Sequence, residues 1–378
     1  MFARLLASLP FQRFAIKTAL LLLPSVLKFG RTVLVLRWND VADVLRRDDD
    51  FRIAPINKAR IEGVSGPFFL GMDRCAEYFD QRRCSYSAMA SVDFPSHGTD
   101  IAARAREAVE ASGSKLDIVN GYARPIAAQT AANIFGIHGD NPEAYMSVAR
   151  SVFEETFLNL SGDTEVERRG RAAGSQLSKW TRAEIALRRD AQDLGQDFLG
   201  ALLADEKLSD DAVANIVNGF VIGAMDTTAT ATTNILFELI SDETRLKNAC
   251  ADVDNPRRMM GWCLEALRQR PHNPLLVREA ASNTQIAGKA VQQGDRVFAI
   301  TFAAHHDPAA FPSPGHLDPT RPFRRYMHFG FGPHVCAGRD LNAVQIPTLV
   351  AEVLRQGPKN VSDIEFEGPF PNKMFVGF

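Results

Sequence analysis

The passage from Pro308 to Gly338 carries neither a helical nor a strand period and is dense in proline and glycine. A stretch of that length without regular structure inside a globular chain usually has a functional reason. It ends in Phe329-Gly330-Phe331-Gly332-Pro333-His334-Val335-Cys336-Ala337-Gly338, and a helical pattern follows from about Arg339 to Arg355. The close glycines and the proline fix a tight loop that a side chain could not easily cross. The helix that starts after Cys336 directs backbone N–H groups and its dipole toward the sulfur, which favours a thiolate. One cysteine in such an open loop suits a nucleophile or a soft metal ligand. A buried cysteine beside a glycine turn is the bland alternative.

What surrounds the loop is mainly helical. Residues 100–247 have helical periodicity, with polar breaks near His138-Gly139-Asp140 and Ser161-Gly162-Asp163. The charged run Glu165 to Arg171 reads as a solvated face or loop. Short strands are predicted at Thr32–Leu36, Leu275–Val277, Thr284–Ala287 and Arg296–Ile300, and a helix at Val41–Arg46. Residues 56–100 are mixed, with turn signals at Gly66-Pro67 and Pro95-Ser96-His97-Gly98. The composite is mainly α with small β-sheets, an α+β fold. No Gly/Ser/Pro-rich linker divides residues 1–378, so a single large domain is expected.

Ala15 to Phe29 is apolar but interrupted by Lys17, Pro24 and Lys28, too short for a membrane span of roughly 20 residues. Residues 1–30 therefore read as a helix packing on the body or touching a lipid surface, with no transmembrane segment. The formal charge of -2 argues against nucleic acid. Five cysteines at irregular spacing do not form a disulfide framework, which implies a reducing, cytoplasmic compartment.

A second unusual string lies in an apolar helix that starts at the N-cap Ser209 and runs to about Ile240: Gly223-Ala224-Met225-Asp226-Thr227-Thr228. A carboxylate there is expensive unless paired or functional. Thr227 can bond a backbone carbonyl and, with Gly223, loosen one turn. An ordinary core helix with a paired Asp accounts for the same residues.

Taken together the strings resemble the cytochrome P450 family. The ten-residue loop matches its haem signature, Phe-Gly-x-Gly-x-His-x-Cys-x-Gly, at every fixed position. The resemblance implies haem b between the long central helix and the Cys-loop helix, with Cys336 as the iron ligand. It implies that Phe329 shields the sulfur, His334 reaches a haem propionate, and Gly330, Gly332 and Gly338 allow close approach to the porphyrin. The helix string resembles the family's oxygen-activation motif, with Asp226 gating protons and Thr227 holding the oxygen network; Ala224 stands where the family usually has Gly. Glu265, Arg268 and Arg321 resemble the network that locks the loop. Arg278 matches a propionate-binding arginine, and Arg82, four residues after Tyr78, stands where the family has His-x-x-x-Arg. The family's Ala-Asn-Arg-Asp stretch is Ala304-His305-His306-Asp307, whose histidines read as solvated.

The implied activity is insertion of one oxygen atom into a hydrophobic organic substrate. Electrons would come from NAD(P)H through a separate ferredoxin-type partner and its reductase. Val221, Ala224, Met225, Leu276 and Val277 are the expected substrate lining, closed by a loop at Phe68, Phe69 and Leu70. A specialised haem-thiolate enzyme (ring coupling, dehydration, peroxide-driven oxidation) is the alternative within the class, and a haem-binding sensor or carrier the alternative outside it. A carrier would not need the acid–alcohol pair.

Overall fold

The computed structural model describes residues 9–159, 161–368 and 370–378. Residues 1–8 of the expected N-terminal helix lie outside the described residues. The chain folds into two compact units, Met1–Ile56 with Asn255–Cys336, and Asn57–Asp254 with Ala337–Phe378.

The first unit is built on a five-stranded sheet in the order Val26–Phe29, Thr32–Val35, Arg296–Ala299, Leu276–Ala280, Phe51–Arg52. Its pairings are antiparallel except Thr32–Val35 with Arg296–Ala299, which run parallel with Val33 opposite Val297. Alternating Val33, Val35, Val297 and Ala299 are fully buried with Val41, Val44 and Leu45 of the helix Trp38–Arg46. The predicted strands are thus present, the one at Thr284–Ile286 forming a separate hairpin with Lys289–Val291. The passage from Pro308 to Gly338 holds only the short turns Phe323–Arg325 and Gly332–His334.

In the second unit the long helix is two helices, Asp210–Ala224 and Asp226–Ile240, separated at Met225 (φ -101, ψ -68). Ser209 caps the first, accepting the Ala212 N–H. The charged run is the exposed start of the helix Thr164–Ala191, capped by Asp163. Around Phe220 the core gathers Phe198 (ring centroids 4.7 Å), Phe135 (5.6 Å) and Phe68 (5.7 Å). Gly219 is required there, because a Cβ would stand 2.4 Å from the Phe68 ring.

Two expectations change. Pro95-Ser96-His97-Gly98 is not a turn but the start of the helix Phe94–Ala111, where Asp93 accepts the Ser96 N–H. Proline needs no N–H partner in a first helical turn, so the same residues serve a helix start. Phe68 and Phe69, expected on a closing loop, are buried in this core.

Candidate functional site

The candidate residues divide between the two units. In the first, the Cys336 N–H donates to the Phe329 carbonyl oxygen at 2.7 Å, closing the glycine loop. Gly330 and Gly332 have φ of +74° and +73°, a region that disfavours residues with a Cβ. A Cβ at Gly332 would stand 2.5 Å from the Leu45 carbonyl oxygen, and one at Gly330 2.9 Å from that of His334. Phe331 meets Trp38 edge-on at 5.7 Å under the Arg46 guanidinium at 4.8 Å, clamping the loop to the helix Trp38–Arg46. Phe329 packs on Leu264, Phe311 and Tyr326. Cys336 is half-buried, and the helix after it starts at Arg339 with Gly338 as its N-cap.

Beneath the loop, Arg268 meets Glu265 through two parallel bonds of 2.8 Å, both side chains fully buried. Such a two-point fork is the geometry that arginine and carboxylate favour. The carboxylate also accepts from the Tyr326 hydroxyl (2.6 Å) and the Asp318 N–H (2.9 Å), with Arg321 Nε at 3.5 Å. Arg268 donates further to the carbonyls of His305, Pro314 and His316, and Arg321 to Pro312. The pattern-free passage is therefore held by its own carbonyls on two buried guanidinium groups. His305 joins the same network, its Nε2 accepting the Met327 N–H at 2.8 Å.

His305 and His306 are buried, not solvated. They follow the buried helix turn Thr301–Ala304, and their partners are protein groups: the Met327 N–H for His305, and the Phe302 carbonyl and Gln269 side chain for His306. Burial holds His305 well below its ordinary range and His306 at about 4, so both are neutral. His334 has Nε2 3.4 Å from Asp48 Oδ2. Arg278 is buried on its strand and donates to the Val277 carbonyl at 2.9 Å, while Leu276 and Val277 are half-buried.

In the second unit Asp226 is buried, its Oδ1 3.3 Å from Arg124 Nε. Its Oδ2 has no hydrogen-bond partner among the described residues. Burial raises its pKa, and the cations Arg124 and Arg150 partly oppose the rise. Thr227 donates to the Gly223 carbonyl at 2.5 Å, and Thr228 Oγ1 lies 3.1 Å from both Ala224 O and Asn342 Oδ1. The last contact ties the acid-bearing helix to Arg339–Arg355. Gly223, Ala224 and Thr227 form the accessible side of this turn, and a Cβ at Gly223 would meet nothing within 4 Å. Val221 and Met225, expected with Ala224 at the lining, are buried members of the core cluster against which Ala224 also packs. Arg82 is half-buried with its guanidinium over Tyr86 at 4.6 Å.

Arg124, Tyr326 and Asp318 were not legible as site residues. Arg124 sits 102 residues from Asp226, and no local pattern joins them. The donor set in the first unit fits an iron porphyrin. It offers one soft sulfur, a backbone stripped of Cβ atoms beside it, and a buried guanidinium suited to the ring's carboxylates.

The profile of the cytochrome P450 family matches residues 143–257 and 259–356. The biotin biosynthesis cytochrome P450 of Bacillus subtilis is 25% identical over 256 residues, which are 67% of this chain and 63% of that protein. The chain thus spans less than two thirds of that relative's length. The crystal structure of P450BioI in complex with hexadec-9Z-enoic acid ligated acyl carrier protein superposes with a TM-score of 0.84 at 20% identity, covering 98% of this chain and 99% of that one. The Mycobacterium marinum cytochrome P450 CYP268A2 in complex with pseudoionone gives 0.83 at 20% identity, covering 100% and 97%. These likenesses establish the fold.

Proposed function

The chain belongs to the cytochrome P450 family, and from that premise we propose that it is a haem-thiolate monooxygenase acting on a hydrophobic organic molecule. The observation that carries the reading is the closed glycine loop at Cys336, anchored on the fully buried Glu265–Arg268 pair. Cys336 would hold the iron of haem b, with Gly330 and Gly338 beside the ring, Phe329 against the sulfur, and Arg278, His334 and Arg82 toward the carboxylates. The bound haem supplies oxygen activation, which a thiolate ligand promotes by pushing electron density toward O–O cleavage. Glu265, Arg268 and Arg321 position the loop and touch no reactant.

The chain's own contribution to chemistry is proton handling. Insertion of one oxygen atom leaves the other as water, so two protons and two electrons must arrive. Asp226, with a raised pKa and an unpartnered Oδ2, is suited to pass protons inward. The Thr227 hydroxyl, on the accessible side of the loosened turn, would hold a water or oxygen in place. The electrons would come from NAD(P)H through a ferredoxin-type partner and its reductase, in the cytoplasm. Ala224, Leu276 and Val277 would offer apolar surface to the substrate, with Val221 and Met225 packed behind. Neighbours bound to a hexadecenoic chain and to pseudoionone support an apolar ligand class.

Cys336→His tests the ligand. The wild-type protein is expected to give the thiolate-type absorption band of the reduced carbon monoxide complex, and the variant to lose it while still binding haem. Retention of that band in the variant would overturn the assignment.

A further inference from the structure

Independently of that reading, we propose that the N-terminal helix Leu9–Leu22 is a docking surface for an anionic lipid bilayer, on which the protein lies without crossing it. The helix has two apolar faces. Ile16, Ala19 and Leu20 pack on Leu27, Leu36, Ile300 and Ala303, and Arg13 bonds the Gln269 carbonyl, fixing the inner face to the first unit. The outer face carries Phe14 (67% exposed), Leu21 (72%) and Leu22 (76%), followed by Leu23 (42%). Phe14 and Leu21 are seven residues apart, as are Ala15 and Leu22, so they share one side of the helix. Of the ten exposed large hydrophobic residues among those described, five lie between Phe14 and Phe29, which makes this a concentrated patch and not ordinary scatter.

Charge selects the occupant. Residues 1–39 hold six Lys and Arg and no Asp or Glu, in a chain whose formal charge is -2, and of the six Lys28 pairs with Asp295 and Arg37 with Asp307. Lys17 projects from the exposed face and forms no ion pair among the described residues, and Arg31 is exposed at the hairpin next to Phe29. A second copy of this chain would bring a like-charged segment against this one. A bilayer of anionic phospholipid offers both an apolar interior for Phe14, Leu21 and Leu22 and negative head groups for the basic residues. No helix among the described residues is long and apolar enough to span a membrane, so the contact is interfacial. Such seating would hold the protein where apolar molecules concentrate.

The test uses the haem-loaded full chain and vesicles of phosphatidylcholine with and without about one third phosphatidylglycerol. Co-sedimentation is expected only with the anionic vesicles, falling as salt is raised. Leu21→Glu/Leu22→Glu, at two exposed positions, should lower the vesicle-bound fraction on the order of 10-fold or more with an unchanged absorption spectrum and melting temperature. Lys17→Glu should remove part of the salt-sensitive binding. The proposal is overturned if the wild type stays in solution, or if the double variant binds as well as wild type. It is also overturned if the double variant instead disperses a concentration-dependent dimer that never binds vesicles.

Discussion

Asp226 places a carboxylate where carboxylates are costly, and two arginines determine how it titrates. Burial raises its pKa, while Arg124 and Arg150 pull it back. A carboxyl so raised is easier to protonate in the fold than in the unfolded chain. Its contribution to stability is therefore present at low pH and is lost as pH rises through the folded pKa. That cost is tolerated where the proton has work. Asp226→Asn should keep the haem spectrum and lower turnover roughly 10²–10⁴-fold, less where water substitutes. Thr227→Ala should keep haem and divert electrons to peroxide, seen as less product per NAD(P)H consumed; variants matching wild type in rate and coupling would remove the relay. Arg124→Gln withdraws an opposing cation, so the pH–rate limb that belongs to Asp226 should move to higher pH. A limb that stays in place would separate Arg124 from the acid.

Elements built from local rules were legible, and those built from distant partners were not. Ser209 as an N-cap, Gly223 and Thr227 at a loosened turn, and the helix Arg339–Arg355 are all set by near neighbours. The sheet of Lys115–Asp117, Phe375–Gly377 and Asn360–Val361 was not, because Phe375 pairs with Asp117 across more than 250 residues. Pro95 was misread because a proline opens a turn and a helix alike, and only the Asp93 cap decides. In the loop support, the Glu265 and Arg268 spacing predicted a pair, yet its full burial came from the passage that wraps it. Removing one member of such a pair leaves a buried charge without its counterpart, at a cost of about 3–5 kcal/mol. Glu265→Gln should accordingly lower the denaturation midpoint of the haem-loaded protein and loosen haem retention. A change within about 0.5 kcal/mol, the range of ordinary surface substitutions, would show that the network does not carry the loop.

Across the whole molecule the fold class was legible in two strings and a composition, but the burial of His305 and His306 in the first unit was not, since a His-His dipeptide reads as polar. Four histidines there are held neutral by their surroundings. Burial is the largest cause in each case, bringing His272 and His306 to about 4, His328 to about 3, and His305 well below its ordinary value. The His305 and His328 rings lie tilted to one another with centroids 4.5 Å apart, and Arg268 adds a nearby positive charge to His305, His306 and His328. For a histidine whose folded pKa is depressed, the unfolded chain binds the proton more tightly. Stability is then complete above the ordinary histidine value of 6.5 and is lost as pH falls toward 4. Each such group steepens the loss by up to about 1.4 kcal/mol per pH unit. Denaturant unfolding of the haem-loaded protein at several pH values between 7 and 4 should give a slope of more than one proton. His272 offers the cleanest removal, because its Nδ1 is shielded and has no hydrogen-bond partner among the described residues. In His272→Leu the slope should fall by as much as one proton, with the carbon monoxide band of the reduced protein unchanged at neutral pH. Contributions common to both proteins cancel, so the difference in slope isolates the histidine. Identical slopes for wild type and variant would mean that acid sensitivity arises elsewhere in the chain.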